Sequence, residues 1–211
     1  MIDAKILIGV PCSLGDVPKE FTLSLFNLER PCPCQLYFQN GYEISTMRNN
    51  IVGHALSGDY THVLFLDLDM IYPTNIIKAL LEADKNIICS FCVRRVPPNI
   101  PLFLLDTETR YVMRPEWPPG MGVYEVGAIS AGGLLVRTEV FRKIKPPWFS
   151  YNKKAPNGNI VSEDIYFSVR ARDAGFKLWC RTDVIVGHIS KVVLIPVLRE
   201  GRWSCESMQL V

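Results

Sequence analysis

Asp67 and Asp69 stand two residues apart at the end of the apolar run 61–66. In an extended strand such residues project to the same side, so both carboxylates would face one point in space. A run this apolar reads as a strand buried on both faces, inside a mostly parallel sheet. Two like charges at its tip repel with little water to relieve them. A hard divalent cation would neutralise them and still offer open positions to phosphate oxygens. Asp67-Leu68-Asp69 is therefore a candidate metal–diphosphate site. The competing reading is helix capping, with Asp69 facing the helix entered near Pro73.

Further residues with chemical capacity follow. Ser162-Glu163-Asp164 opens a helix, where acids favour the positive end of the dipole. The same carboxylates suit a general base toward an acceptor hydroxyl, or a group that orients the acceptor. His188 closes the apolar segment 184–186 after Gly187, and a neutral imidazole there is either structural or a third ligand to a cation such as manganese. Gly132 and Gly133 lie between an expected strand and helix, as a bulge or close backbone packing, or as room for a sugar or acceptor. Arg48, early in a helix, is either a phosphate or nucleotide contact or an exposed helix residue. His54 and His62 lack such company and read as structural.

The elements that must position these residues alternate. Strands are expected over 5–10, 34–39, 61–66 and 86–93, with helices over 18–29, 45–57 (Ser45 as N-cap) and from 72–74 through 84. A strand-like stretch covers 124–136, a short helix 138–144, a helix 162–174 stopped by Gly175, and a strand 177–189. This alternation is the pattern of an α/β domain with a mixed, mostly parallel sheet flanked by helices, whose ligands bind at the carboxyl ends of the strands. Between 97 and 122 proline is frequent, 102–105 and 111–113 look like short strands, and the stretch reads as a variable loop or lid. The apolar tail 192–198 reads as a core strand or a partner contact.

Composition sets the bounds. A chain of 211 residues fits one domain, 1–211, with 48% hydrophobic and 21% charged residues, as expected of a folded soluble enzyme. A net charge of +2 gives no indication of a nucleic-acid partner, and Arg94-Arg95 and Lys153-Lys154 read as solvated surface. Seven cysteines, an odd number without paired knuckles, read as reduced thiols in a cytoplasmic setting. No apolar stretch is long enough to span a membrane.

Taken in order, Ile6-Leu7-Ile8-Gly9-Val10-Pro11, Met47-Arg48-Asn49, Phe65-Leu66-Asp67-Leu68-Asp69, the run 131–136 with its two glycines, Ser162-Glu163-Asp164 and Gly187-His188 resemble the GT-A fold of nucleotide-sugar-dependent glycosyltransferases. The resemblance spans nearly the whole chain. It implies a hexosyltransferase-like enzyme that uses manganese or magnesium and a nucleoside-diphosphate sugar as donor. The acceptor would be a carbohydrate, protein or small molecule. It further implies that Asp67, Asp69 and His188 hold the metal, and that Pro11, Cys12 and Arg48 lie along the nucleotide. Gly132 and Gly133 would flank donor sugar and acceptor, and Glu163 or Asp164 would act at the acceptor, with Asp164 favoured as base. Many relatives carry an acidic residue after the second strand, where this chain has Phe38-Gln39-Asn40-Gly41, so no base-reading residue is assigned.

Two other readings share these motifs. Asp67-Leu68-Asp69 also resembles the nucleophile motif of haloacid-dehalogenase-like phosphatases, in which the first Asp attacks phosphorus. Against it, a strand–helix–strand–helix unit precedes the motif and Met70 stands where that family commonly has glycine. The remaining possibility is a non-catalytic domain that binds a nucleotide sugar or a partner.

Overall fold

A computed structural model describes residues 4–13, 15–95, 99–103, 117–154, 158–190 and 192–209. Its centre is a seven-stranded sheet in the order β2-β1-β3-β7-β5-β8-β6. These strands are β1 (Ile6–Ser13), β2 (Cys34–Gly41), β3 (His62–Phe65), β5 (Ile87–Phe91), β6 (Val123–Val126), β7 (Leu134–Arg137) and β8 (Leu178–Ile185). β1 pairs in parallel with β2 and β3, and β5 with β8, whereas β7 runs antiparallel between β3 and β5 and β6 antiparallel at one edge. Strands β2, β1, β3, β5 and β8 thus point one way, which gathers their carboxyl ends on one side of the sheet.

The apolar runs explain why this sheet is central. Alternate side chains of one strand feed two separate cores: Leu7, Val63, Phe65, Cys89, Phe91, Leu134 and Val136 pack on one face. Ile6, Ile8, Val10, Leu64, Leu66, Ile88 and Leu135 pack on the other. Helices α2 (Ile44–Ser57), α4 (Thr138–Lys143) and α5 (Glu163–Asp173) cover the first face through residues such as Ile51, Val52, Phe141 and Phe167. Helices α1 (Lys19–Phe26) and α3 (Ile76–Glu82) cover the second through Phe21, Leu25, Ile76 and Leu80. Burying each such side chain stabilises the fold by roughly 1.5–3 kcal/mol before chain entropy is counted. α2 lies so close to β1 that a Cβ on Gly9 would stand 2.3 Å from Ile51 Cγ2.

A second, antiparallel sheet in the order β11-β10-β9-β4 joins β4 (Met70–Ile71) to β9 (Gly187–Ile189), β10 (Val192–Arg199) and β11 (Arg202–Gln209). The tail read from sequence as core strand or partner contact is β10, paired along its length with β11. Glu200 and Gly201 turn that hairpin with positive φ of 48° and 74°, the backbone that a two-residue turn between right-twisted strands needs.

Several expected boundaries shift. The stretch 124–136 divides into β6 and β7, and 177–189 into β8 and β9, each pair split between different neighbours. Glu43, not Ser45, caps α2, its carboxylate accepting from Ser45 N at 2.9 Å and Thr46 N at 2.7 Å. α3 starts at Ile76 rather than at 72–74. Of the expected lid, residues 99–103 and 117–122 are described, with Pro101 bridged to Val93. The expected strand 111–113 and the end of 102–105 lie outside the described residues. His54 stacks on Tyr37 at 4.2 Å and His62 is buried, both away from the acid turn. All seven cysteines are free thiols. Among the described residues, no helix is long and apolar enough to cross a membrane.

Candidate functional site

The carboxyl ends of β1, β3 and β5 and the N-terminus of α5 surround a cleft of about 970 Å³. β1 runs past its last pairing with β3, at Gly9, and its extension supplies Pro11 and Ser13 to the wall while Cys12 points into the protein. That is the alternation of a strand, and it separates two residues that the sequence had grouped.

β3 ends at Phe65, so Asp67 and Asp69 sit in a turn between β3 and β4. Their placement does not come from strand alternation, as expected, but from contacts on either side. The Asp67 backbone is fixed by Tyr72: Asp67 N donates to the phenol oxygen at 2.7 Å, and the hydroxyl donates to Asp67 O at 3.1 Å. Ile189 N donates to Asp69 O at 2.7 Å, tying the turn to β9.

The two carboxylates face different partners. Arg48, buried on the inner side of α2, donates from Nη2 to Asp67 Oδ1 at 2.8 Å and Oδ2 at 2.9 Å, and from Nη1 to Glu163 Oε1. Burial works against its charge, but Asp67, Glu163 and Asp164 outweigh it, and the guanidinium is held above its ordinary value. Arg48 is therefore a buried clamp between the acid turn and α5, not an exposed helix residue.

Asp69 Oδ2 faces His188 Nε2 at 3.2 Å and accepts from Arg95 Nη1 at 2.9 Å. His188 Nδ1 lies 3.0 Å from the Val93 carbonyl, an acceptor only, so it is Nδ1 that donates. The Nε2 position is thereby turned to the carboxylate. Burial opposes charge on both groups, but their contact outweighs it, raising the imidazole and, with Arg95, lowering the Asp69 carboxyl. Register places His188 opposite Met70, and a Cβ on Gly187 would meet Val193 Cγ1 at 2.9 Å.

This arrangement can be tested against a metal. Two ligands at right angles on a cation with bonds of about 2.1 Å stand about 3 Å apart, which the Asp69–His188 edge matches. Among the described residues, no group of three or more His, Cys, Asp or Glu converges as a metal cluster. Both Asp67 oxygens accept from Arg48. Asp69 and His188 are the two side chains that would hold a cation there, with other positions left to substrate and water.

The acidic pair on α5 divides. Glu163 is buried on the cleft wall beside Arg48 and Tyr151, whose hydroxyl is pushed up by burial and then by the Glu163 charge. Asp164 is half-buried and turned back on its own helix, accepting from Ser162 Oγ and from Ile165 N at 2.8 Å. Burial and the neighbouring Glu163 push its carboxyl up to about 6.

Gly132 and Gly133 lie under the acid turn and do not line the cleft. A Cβ on Gly132 would stand 2.7 Å from Met70 Cε and 3.1 Å from Asp67 Oδ2. Gly133 has φ +96°, donates to Phe65 O at 2.9 Å, accepts from Ser90 N at 2.9 Å, and has Ser90 Oγ 2.1 Å from where a Cβ would sit. The space left by both is filled by protein atoms.

Arg95, Tyr72 and Tyr151 escaped the sequence reading. Arg94-Arg95 read as solvated surface, yet both line the cleft. Their place just beyond a buried strand was the available signal, since the carboxyl ends of parallel strands converge.

No protein-family model matches the chain, and no curated protein does. Among solved structures, the chain is similar to the crystal structure of A197 from STIV, with a TM-score of 0.64 and 15% identity over 98% of this chain and 95% of that one. It also aligns with TarS of S. aureus at a TM-score of 0.48 and 15% identity, over 85% of this chain and 35% of that one. The first of these likenesses shows the fold: a mixed α/β sheet flanked by helices, as the sequence pattern implies.

Proposed function

We propose that residues 1–211 act as one catalytic domain, a metal-dependent glycosyltransferase that moves a sugar from a nucleoside-diphosphate sugar to an acceptor hydroxyl. The observation that carries this reading is the meeting of Asp69 and His188, far apart in the chain, at one edge of a cleft that also holds Arg48, Asp67 and Glu163. Asp69 and His188 would hold manganese or magnesium, which supplies charge stabilisation to the leaving diphosphate.

The protein's own groups account for the rest. Pro11 and Ser13 offer an extended wall along which a nucleotide can lie. Arg48 neutralises Asp67 and Glu163 together, so an anionic donor meets less repulsion than bare carboxylates would give. Glu163 faces the cleft, so it is the better-placed base for an acceptor hydroxyl. Asp164, favoured on sequence grounds, is engaged by Ser162 and the helix backbone, which suits a supporting role.

The phosphatase reading needs Asp67 to offer a free oxygen to phosphorus. Both oxygens accept from Arg48, which speaks against it.

The test is a thermal-shift screen of nucleoside diphosphates with and without Mn²⁺. At least one nucleotide should stabilise the chain only when metal is present; at a hundredfold excess over Kd, linkage gives about 2.7 kcal/mol. Asp69→Ala should abolish the metal-dependent part. Stabilisation that is absent, or equal with and without metal, overturns the reading.

A further inference from the structure

Arg48 and Arg95 both pair with the acid turn, but under different constraints. Arg48 is buried and fixed at both ends, by Asp67 and Glu163. The Arg95 side chain is 54% exposed and meets the turn at Asp69, whose side chain is 39% exposed. Its guanidinium meets the same oxygen, Oδ2, that faces His188 Nε2. That oxygen is the one a cation bound by Asp69 and His188 would take. A cation and a guanidinium repel each other, so the two compete for it.

We propose that Arg95 occupies the cation position beside Asp69 until a divalent ion takes it, and that the displaced guanidinium then binds the diphosphate of the donor. This rests on the glycosyltransferase reading and adds to it a residue with two successive partners. Arg95 lines the same cleft as Pro11 and Arg48, the cleft in which the donor diphosphate would lie. Its planar fork of donors suits phosphate oxygens as well as it suits a carboxylate. Charges match at the start and at the end of the exchange: Asp69 faces Arg95 and then the ion, and Arg95 faces Asp69 and then the diphosphate.

Loss of Arg95 should therefore act with opposite sign on two ligands. An arginine that serves the diphosphate alone leaves metal affinity unchanged. One that merely caps Asp69 leaves anion affinity unchanged.

Calorimetric titration with two probes reads this out. With Mn²⁺ alone, Arg95→Ala should bind about three- to fivefold more tightly than the wild-type chain, the range of a half-exposed ion pair. With inorganic pyrophosphate in EDTA, Asp69→Asn should bind more tightly by a similar factor because it releases Arg95, and adding Arg95→Ala should cancel that gain. Both positions are at the cleft rim, and melting curves of the three variants verify that they fold. Mn²⁺ affinity unchanged or weakened in Arg95→Ala overturns the displacement. A pyrophosphate gain that survives in the double variant overturns the release of Arg95. Failure of both wild-type and Arg95→Ala chains to bind Mn²⁺ overturns the displacement, and the transferase reading falls with it only if Mn²⁺-dependent stabilisation by nucleotide is absent as well; normal Mn²⁺ binding without tightening overturns the displacement alone.

Discussion

Arg48 and Glu163 are separated by 115 positions in the chain, yet Nη1 of one donates to Oε1 of the other inside the protein. The same guanidinium holds Asp67, so one side chain links α2, the turn after β3 and the start of α5. A buried charge with two partners is costly to break, because each partner is left unpaired in a medium that solvates it poorly.

Arg48→Ala should thus destabilise the fold by roughly 3–5 kcal/mol. Urea unfolding of the wild type and variant measures this from midpoint and slope. Arg48→Lys, one point charge in place of a fork, should recover part of the loss but not all of it. Equal midpoints for Arg48→Ala and wild type would show that the clamp carries no stability.

Glu163 and Asp164 should separate kinetically. With a donor identified by the thermal screen, Glu163→Gln should lower kcat by about 10²–10⁴-fold, the usual contribution of a general base. Asp164→Asn should lower it far less, since its carboxylate is already committed to Ser162 and Ile165. Steady-state rates with the two variants assign the role; the reverse order would move the base to Asp164.

Acid titration should reveal Asp164 by its effect on stability. Its carboxyl, raised to about 6 from an ordinary 3.8, stays protonated in the fold over a range where the unfolded chain has lost the proton. Its contribution to stability is therefore fully present below about pH 4 and falls as pH rises through about 6. Unfolding free energies measured from pH 4 to pH 7 should show that fall in the wild type and a flatter profile in Asp164→Asn.

Gly133→Ala should destabilise by about 1–3 kcal/mol from backbone strain alone, because L side chains rarely adopt a φ of +96°. The clash with Ser90 Oγ adds to this. Pairing it with Ser90→Ala should relieve the clash and leave the strain, so only partial recovery is expected in thermal melting. Full recovery would mean that the left-handed backbone there is not required.

The sequence shows the alternation of strands and helices clearly, because residues such as Leu7 and Ile8, or Phe65 and Leu66, are apolar on both sides of the sheet and so mark central strands. It also shows Asp67, Asp69, Glu163 and His188 as residues of interest, through their places at element ends. It does not show which carboxylate meets which cation. Strand alternation suggests that Asp67 and Asp69 share a target, yet the turn beyond Phe65 sends one to Arg48 and the other to His188 and Arg95. Such pairings depend on helix packing and on the second sheet, both set by contacts far apart in the chain. The same holds for the break inside 177–189, where β8 and β9 join different sheets through one residue, Val186, that carries no turn signal.

The order in which β4 and β9 appear along the chain has a consequence for biogenesis. Met70 pairs with His188, and Asp69 O accepts from Ile189 N, so the imidazole reaches Asp69 only after synthesis has run 119 positions past that acid. A nascent chain that has already paired β1 with β2 and β3 carries its acidic turn without that histidine, and cannot assemble the Asp69–His188 edge until β9 emerges.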